Sequence, residues 1–193
     1  VGGLGALRGV GVLFGRGREQ ARVQQIEGLT KIPLPPLAVG DELVVPKINF
    51  HPTDPYITPN ASFYRIDTAL SFPRVDREKW KLRIHGLVER EKSFSMDDLL
   101  ALPQVEKIIT LCCVSNQVGG PLIGNAVWRG VLLKDVLESC GIKKNAQQVF
   151  STSLDGWTSG FPITAAMDGR DALIAIGMNG ESLPIMHGYP ARL

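Results

Sequence analysis

Cysteine and histidine are scarce in this sequence, with three of each among 193 residues. An odd number of cysteines, two of them adjacent at Cys112 and Cys113, does not suit a disulfide scaffold, because neighbouring side chains on a strand point to opposite faces. A structural zinc site is also disfavoured, since neither a C-x-x-C pair nor nearby histidines accompany these thiols. The composition thus argues against two frequent uses of cysteine.

An excess of charge of one sign and a long hydrophobic run are also absent. The 21 basic and 19 acidic residues leave a net charge of +2, so no overall field indicates nucleic acid as a partner. Residues 1–22 are apolar but rich in glycine and interrupted by Arg8, and they fall short of the ~20 apolar residues of a spanning helix. We interpret this segment as part of a membrane region or as a flexible arm. The flanking Arg16, Arg18 and Arg22 favour a membrane tether.

Glycine and proline are abundant, with 21 and 13 residues, and the hydrophobic fraction of 44% suffices for a substantial core. Prolines punctuate residues 23–57, which predicts an extended lead-in rather than regular helices. The packed domain is expected at residues 58–193. Strand patterns there outnumber helical patterns and do not alternate with them, so we predict an α+β fold with mixed sheets rich in strands and short helices.

Two helices can be placed from the residues at their ends. One begins after Ser95 as N-cap, with Asp98 in the capping-box position, and Pro103 stops it. The other ends at Cys140, whose helical spacing with apolar residues places its thiol in the core, and Gly141 supplies the stop.

Four segments have strand patterns, and turns are predicted at "DGWTSG" and at Asn179-Gly180. The predicted strands are "KWKLRIHGLV", "VEKIITLC", "QQVFSTSL" and "ALIAIGM".

The adjacent thiols lie at the end of a predicted strand and precede "VSNQVGG", where small residues let a bulky ligand approach the backbone. A protease-like nucleophile would need a histidine base, and the sequence does not indicate which of the three histidines comes close. A single soft thiolate that completes the ligand set of a metal delivered by an organic cofactor needs no other protein ligand. This last chemistry fits the spacing best.

Six blocks occur in a characteristic order between residues 55 and 193: "TPNASFYRIDTAL", "KLRIHGLV", "TLCCVSNQVGG", "AVWRGVLLKDVLESCG", "FSTSLDGWTSGFP" and "MNGESLPIMHGYPARL". In order and spacing they resemble the molybdopterin-binding domain of the sulfite oxidase family, and most closely its bacterial, membrane-associated oxidoreductase branch. Six blocks in order are far more specific than any one of them. The resemblance implies a sulfite-oxidase-like fold and Mo-molybdopterin as the cofactor.

The resemblance also implies roles for individual residues. The family's C-x-x-N motif matches Cys113 to Asn116, so Cys113 is the expected molybdenum ligand, whereas Cys112 stands where the family requires no thiol. The family's early aromatic and polar stretch, which contacts the pterin, gives Tyr64 and Arg65 as its counterparts.

Three further cofactor contacts follow from the resemblance. The hydroxyl residue after the "VF" strand corresponds to Thr152, with Ser153 nearly as good a match. The H-G-x-P-x-R motif matches His187 to Arg192, and this basic pair would meet the pterin's pyran and phosphate groups. The planar donors of Arg192 and Arg65 suit phosphate and pterin oxygens.

The implied activity is a two-electron oxygen-atom transfer on a small substrate, a sulfite-like oxyanion or a sulfoxide. Since the sequence contains no haem-binding or nucleotide-binding motif, electrons are expected to pass to a separate subunit or to a membrane haem or quinone partner. We expect a membrane-associated protein on the extracytoplasmic face. The alternative is a non-catalytic binding or scaffolding module that keeps the fold.

Two features depart from the family pattern. The loop between Cys113 and "AVWRGV" is short where the family often has a longer loop with substrate-binding groups, so we expect a differently built substrate pocket. The sequence stops at "PARL", where the family continues with strand residues and a lysine that helps to hold the cofactor. We therefore expect the domain to extend past Leu193.

Overall fold

The computed structural model describes residues 31–37, 43, 55–67 and 74–193. The chain divides into a unit Val1–Ile32 and a compact unit Pro33–Leu193. The candidate membrane tether at residues 1–22 lies outside the described residues, so the tether and the predicted domain boundaries stay predictions. No helix within the described ranges is both long enough and apolar enough to cross a bilayer.

Strands dominate the described part of the compact unit, which confirms the predicted α+β class. Three short α-helices and two 3-10 turns, Asn60–Ser62 and Ile185–His187, accompany eight strands. In chain order the regular elements are β1 Lys81–Ile84, β2 Lys92–Ser95, α1 Met96–Ala101, β3 Val105–Cys112, β4 Ile123–Leu132, α2 Leu133–Cys140, β5 Gln148–Thr152, β6 Thr158–Pro162, α3 Ile163–Met167, β7 Leu173–Met178 and β8 Glu181–Ser182.

The strands form three sheets, and each ladder between described strands is antiparallel. The pairs β1-β2 and β5-β6 are two-stranded, and the central sheet has the order β3-β4-β7-β8. The β3-β4 ladder runs from Val105 opposite Gly130 to Cys112 opposite Ile123. The central sheet thereby carries the adjacent cysteines to one end of its edge strand β3.

The core lies against the central sheet. Each residue of β7 is buried, and Ala126 and Trp128 of β4 join it in one apolar cluster. The β4-β7 register shifts between Arg129 and Gly130. A Cβ at Gly130 would lie 2.1 Å from the carbonyl oxygen of Ile174, so only glycine allows the two strands to approach this closely.

The predicted helix ends are confirmed. Ser95 accepts a hydrogen bond from the Asp98 backbone N–H, and the Asp98 side chain accepts from the Ser95 backbone, which completes the capping box. Helix α2 ends at Cys140, followed by Gly141 with φ of 73°. Cys140 is fully buried, in agreement with its predicted place in the core.

The turn predicted at "DGWTSG" is shorter than expected. The Ser153 N–H donates to the Trp157 carbonyl at 2.8 Å, and β6 begins at the next residue, Thr158, opposite Thr152. The polar run Thr158–Gly160 has no apolar alternation, so its strand conformation depends on pairing with β5 and was missed from sequence. At the second predicted turn, between β7 and β8, Asn179 and Gly180 have φ of 52° and 80°, which confirms the predicted hairpin.

Arg129 holds part of the proline-rich lead-in against the central sheet. This arginine is 8% exposed, its Nη2 donates to the Pro35 carbonyl oxygen, and its Nη1 lies 3.8 Å from a carboxylate oxygen of Glu106. A buried charge of this kind is tolerated because it is paired and hydrogen-bonded.

Candidate functional site

Cys113 directly follows β3 and opens the loop to β4. Its backbone N–H donates to the Leu122 carbonyl, and its own carbonyl accepts from the Asn116 N–H, both at 2.9 Å. The thiol is partly exposed, and its Sγ lies 3.0 Å from the hydroxyl oxygen of Ser115. Hydrogen bonds from the side chain and backbone of Ser115 lower the pKa of Cys113 below that of an ordinary thiol. This local stabilisation of the thiolate suits a metal ligand.

Cys112 occupies a different environment, although it is the preceding residue. Its thiol is exposed and makes only long contacts, at 3.6 Å each, with the Cys113 carbonyl and the Asn116 side-chain amide. The Asn116 side-chain oxygen accepts from the Leu122 N–H at 2.9 Å, so this asparagine shapes the loop around both thiols. All three cysteines of the chain are free.

Phe63 and Tyr64 form an aromatic pair beside β4. Phe63 is 6% exposed, its ring stacks on Tyr64 at a centroid distance of 5.3 Å, and it meets Trp128 edge to face at 5.9 Å. Gly124 makes room for this ring, because a Cβ there would lie 2.7 Å from Phe63 Cε2. The close fit between Gly124 and Phe63 thus places Tyr64 next to the core.

The pKa of Tyr64 responds to the charges of two other predicted site residues, Cys113 and Arg192. Burial raises the pKa of Tyr64, the charge of Cys113 raises it further, and the charge of Arg192 lowers it. The phenol therefore keeps its proton at neutral pH and can donate a hydrogen bond. Cys112 raises the pKa of Tyr64 as well, so the phenol lies near both thiols and near the predicted phosphate-binding arginine.

His187 is buried, with 5% of its surface exposed. Its Nε2 lies 3.1 Å from the Asn60 carbonyl oxygen, and since a carbonyl only accepts, Nε2 carries the ring proton. Burial lowers the pKa of His187. The imidazole is thus a neutral, oriented group at physiological pH.

Arg192 lies across the apolar cluster with its charge partly withdrawn from water. Its Nη1 donates to the His187 carbonyl at 3.0 Å, and its guanidinium carbon lies 5.2 Å from the centroid of the Trp128 ring. Burial lowers the pKa of Arg192, although guanidinium stays protonated in proteins. No carboxylate of the described residues forms an ion pair with it.

Arg65 is an exposed group at the edge of this cluster. It forms an ion pair with the Asp67 carboxylate, and the charges of both residues act on the pKa of His187. The structure therefore brings five predicted site residues into one neighbourhood. These residues are Cys113, Tyr64, Arg65, His187 and Arg192.

Thr152 is the predicted site residue that the described contacts do not join to this neighbourhood. It is exposed on β5 opposite Thr158. Ser153, the near alternative, donates to Asp155 and thereby lowers the pKa of that carboxyl. The role of Thr152 stays a prediction.

Asn60 is a site residue that sequence reasoning missed. Its carbonyl accepts from His187 Nε2, its side-chain amide donates to the Met178 carbonyl at 3.2 Å, and its side-chain oxygen accepts from Asn179 at 2.8 Å. These partners lie more than 115 residues away in sequence. The only sequence signal for Asn60 was that it lies in "TPNASFYRIDTAL", one of the six blocks that carry the family resemblance.

The residues of this neighbourhood fit a cofactor that combines a soft metal with a phosphate. Cys113 offers a thiol of lowered pKa as a ligand that molybdenum accepts. Arg192 offers a half-buried guanidinium without a described carboxylate partner, which suits an incoming anion. The chemistry of these two side chains therefore fits molybdopterin, and their roles as its ligands stay predictions.

A sequence model described as the oxidoreductase molybdopterin binding domain matches residues 69–193. The chain belongs to this family. Its members bind Mo-molybdopterin, so the cofactor predicted from the sequence is confirmed at the level of the family.

The chain is similar to several oxidoreductases of known name. It is 34% identical over 117 residues to the uncharacterized oxidoreductase YuiH of Bacillus subtilis, covering 61% of this chain and 57% of YuiH. It is 32% identical over 165 residues to the mitochondrial sulfite oxidase of Rattus norvegicus, covering 73% of this chain and 30% of that protein.

A solved structure supports the predicted fold. The crystal structure of the sulfane dehydrogenase SoxCD from Paracoccus pantotrophus matches with a TM-score of 0.66 and 27% identity, over 72% of this chain and 39% of that chain. This similarity confirms the sulfite-oxidase-like fold. The chain spans little more than half of YuiH and less than half of the other two proteins.

Proposed function

We propose that this domain catalyses a two-electron oxygen-atom transfer on a small substrate, a sulfite-like oxyanion or a sulfoxide. The observation that carries the proposal is the partly exposed Cys113, whose thiolate is stabilised by Ser115 and whose charge acts on Tyr64. Similar proteins are named as a sulfite oxidase, a sulfane dehydrogenase and nitrate reductases, which supports a small oxyanion or sulfur-containing substrate.

Each residue has a distinct task in this proposal. Bound molybdenum would supply the two-electron redox chemistry and the transferable oxygen. Cys113 would hold the metal, and Arg192 and Arg65 would bind the anionic and polar edges of the pterin. His187 stays neutral and presents a fixed ring, because burial lowers its pKa and the Asn60 carbonyl holds its Nε2 proton.

Tyr64 is a proton-bearing group on which the charge of the proposed metal ligand acts. Its raised pKa keeps the phenolic proton in place at neutral pH. It can therefore donate a hydrogen bond to an oxygen atom held beside Cys113, without changing its own protonation state. We assign Tyr64 to the orientation of the cofactor or of the substrate oxygen.

The electron partner is proposed to be a separate subunit or a membrane haem or quinone. We also propose a membrane-associated protein, which is supported by Arg16, Arg18 and Arg22 at the end of the apolar N-terminal stretch. The proposed extracytoplasmic face rests on the resemblance, because these arginines by themselves would favour the cytoplasmic side.

The test is to purify the protein from a host that makes molybdopterin and from one that does not. We expect about one molybdenum per chain in the first preparation only, because one thiol is proposed to hold one metal. That preparation should oxidise sulfite with an artificial electron acceptor or reduce dimethyl sulfoxide with a reduced dye. A protein without molybdenum from the competent host would instead support the non-catalytic module, and a loaded protein inactive in both assays would refute the proposed reaction.

A further inference from the structure

Asn179 uses its whole side chain to join two distant parts of the fold. It stands in the turn between β7 and β8, where its positive φ of 52° suits asparagine or glycine. Its side-chain oxygen accepts from the Val127 N–H at 2.9 Å, and its side-chain nitrogen donates to the Thr58 carbonyl at 2.9 Å and to the Asn60 side-chain oxygen at 2.8 Å. The turn itself requires none of these side-chain bonds.

The bonds from Asn179 continue into the candidate site. Asn60, held by Asn179, accepts from His187 Nε2 at 3.1 Å through its backbone carbonyl. The His187 carbonyl in turn accepts from Arg192 at 3.0 Å. Asn60 also begins the 3-10 turn that leads directly to Phe63 and Tyr64. One continuous set of hydrogen bonds thus runs from the β7-β8 turn to two predicted cofactor contacts.

The segment that Asn179 holds has other attachments to the sheet. The Thr58 N–H donates to the Asn125 carbonyl at 2.8 Å, and the Asn125 side chain donates to the Tyr56 carbonyl at 3.1 Å. Loss of the Asn179 side chain would therefore leave this segment attached at Asn125. It would remove the donor to the Asn60 side-chain oxygen and leave only the bond from the Asn60 amide to the Met178 carbonyl, which loosens the constraint on the Asn60 carbonyl that orients His187.

We propose that Asn179 is a positioning residue for the cofactor site, acting through Asn60 on His187 and Arg192. This inference rests on the proposed function, because it assumes that His187 and Arg192 contact the cofactor. Asn179 itself would touch neither metal nor pterin. Its effect should appear as faster loss of cofactor from the folded protein.

The experiment compares the release of molybdenum from holoprotein variants at a fixed temperature, together with the unfolding midpoints of the cofactor-free proteins. Asn179→Gly keeps the turn and deletes the side chain, whereas Asn179→Asp keeps the shape and puts an oxygen in place of the donor to Asn60. Both should release molybdenum roughly ten-fold faster than the wild type, because Asn179→Gly loses all three side-chain hydrogen bonds and Asn179→Asp loses the two that the amide nitrogen donates. Their cofactor-free unfolding midpoints should fall no further than that of a variant that strains the same turn and leaves the Asn179 side chain in place.

Two control variants separate positioning from stability. Gly180→Ala strains the same turn at a φ of 80° without touching the Asn179 side chain, so it should lower the unfolding midpoint but leave release from the folded protein unchanged. Asn145→Gly alters an exposed asparagine in another turn and should change neither.

Wild-type release rates in both Asn179 variants would overturn the inference, as would equally fast release from Gly180→Ala. Wild-type protein that contains no molybdenum after purification from a host that makes molybdopterin would overturn the proposed function and this inference together. A loaded wild type with unaffected Asn179 variants would overturn the inference alone.

Discussion

At the scale of single residues, Arg192 carries a charge that the fold has partly removed from water. Its guanidinium lies over the Trp128 ring and donates to one backbone carbonyl. No ion pair with a carboxylate compensates it among the described residues. Such a group gains most when an anionic ligand arrives, because two or more of its N–H donors can then bind one phosphate.

We therefore expect Arg192→Ala to lower the molybdenum content of the purified holoprotein about ten-fold, and Arg192→Lys to restore only part of it. Lysine keeps the charge but cannot reproduce the planar set of donors. Metal analysis of the two variants measures this difference. Arg170→Ala, at an exposed arginine paired with Asp168, serves as the control, and full metal content in Arg192→Ala would assign Arg192 to the fold alone.

His187 links the site to stability through its lowered pKa, which burial causes. The pKa of a histidine in an unfolded chain is about 6.5. Below that pH the unfolded state therefore binds more protons than the folded state. The free energy of unfolding should consequently fall as the pH drops below about 6.5. The slope is at most about 1.4 kcal/mol per pH unit, because the two states differ by at most one proton bound to His187. Arg192, Arg65 and Asp67 face the same ring and are part of this balance.

Denaturant unfolding of the cofactor-free protein between pH 7.5 and about 5 measures this dependence. His187→Gln should flatten it, since glutamine does not titrate, whereas the exposed His85→Gln should leave it as in the wild type. An unchanged slope in His187→Gln would show that other groups control the acid sensitivity.

At the scale of the elements, β4 is the strand of the central sheet against which Phe63, the neighbour of Tyr64, packs. Gly124 leaves room for the Phe63 ring, and Trp128 meets the same ring edge to face. Helix α1 lies elsewhere in the sequence and contributes to stability through its capping box. The two elements therefore allow a destabilising change at the site to be compared with one away from it.

Gly124→Ala should displace Phe63 and with it Tyr64, because the new Cβ would lie 2.7 Å from the ring. Overpacking of this kind costs about 1 to 3 kcal/mol. Ser95→Ala should cost about 1 kcal/mol through the lost cap. Both variants should show lower unfolding midpoints, but only Gly124→Ala should also lose molybdenum. Equal metal content in the two folded variants would contradict the assigned place of Phe63 and Tyr64.

The elements that could be predicted from the sequence carry their signals locally. The β3 strand Val105–Cys112 and the end of α2 at Cys140 occur where the patterns placed them, because apolar spacing and caps act over a few residues. Strands β2, β4 and β6 were not among the predicted strands. For β6 the reason is that residues 158–160 lack apolar alternation and take their conformation from the ladder with β5. A polar strand of this kind can be recognised only from the strand with which it pairs.

At the scale of the whole molecule, the site residues were found through a resemblance that spans six sequence blocks. In the structure Tyr64 is near enough to Cys113 and to Arg192 for the charge of each to act on its phenol. The hydrogen bond between Asn179 and Asn60 was not predicted, because it joins residues 119 positions apart. Contacts of that range follow from the fold, and local patterns do not reveal them.

The central claim is that the two adjacent thiols have unequal roles and that Cys113 alone binds molybdenum. X-ray absorption at the molybdenum edge counts the sulfur atoms bound to the metal and tests this claim directly. We predict that holoprotein carrying Cys113→Ser has lost one sulfur ligand or the metal itself, because an alcohol is a poor soft ligand, while Cys112→Ser matches the wild type. An equal sulfur count in all three proteins, or a loss confined to Cys112→Ser, would contradict the account.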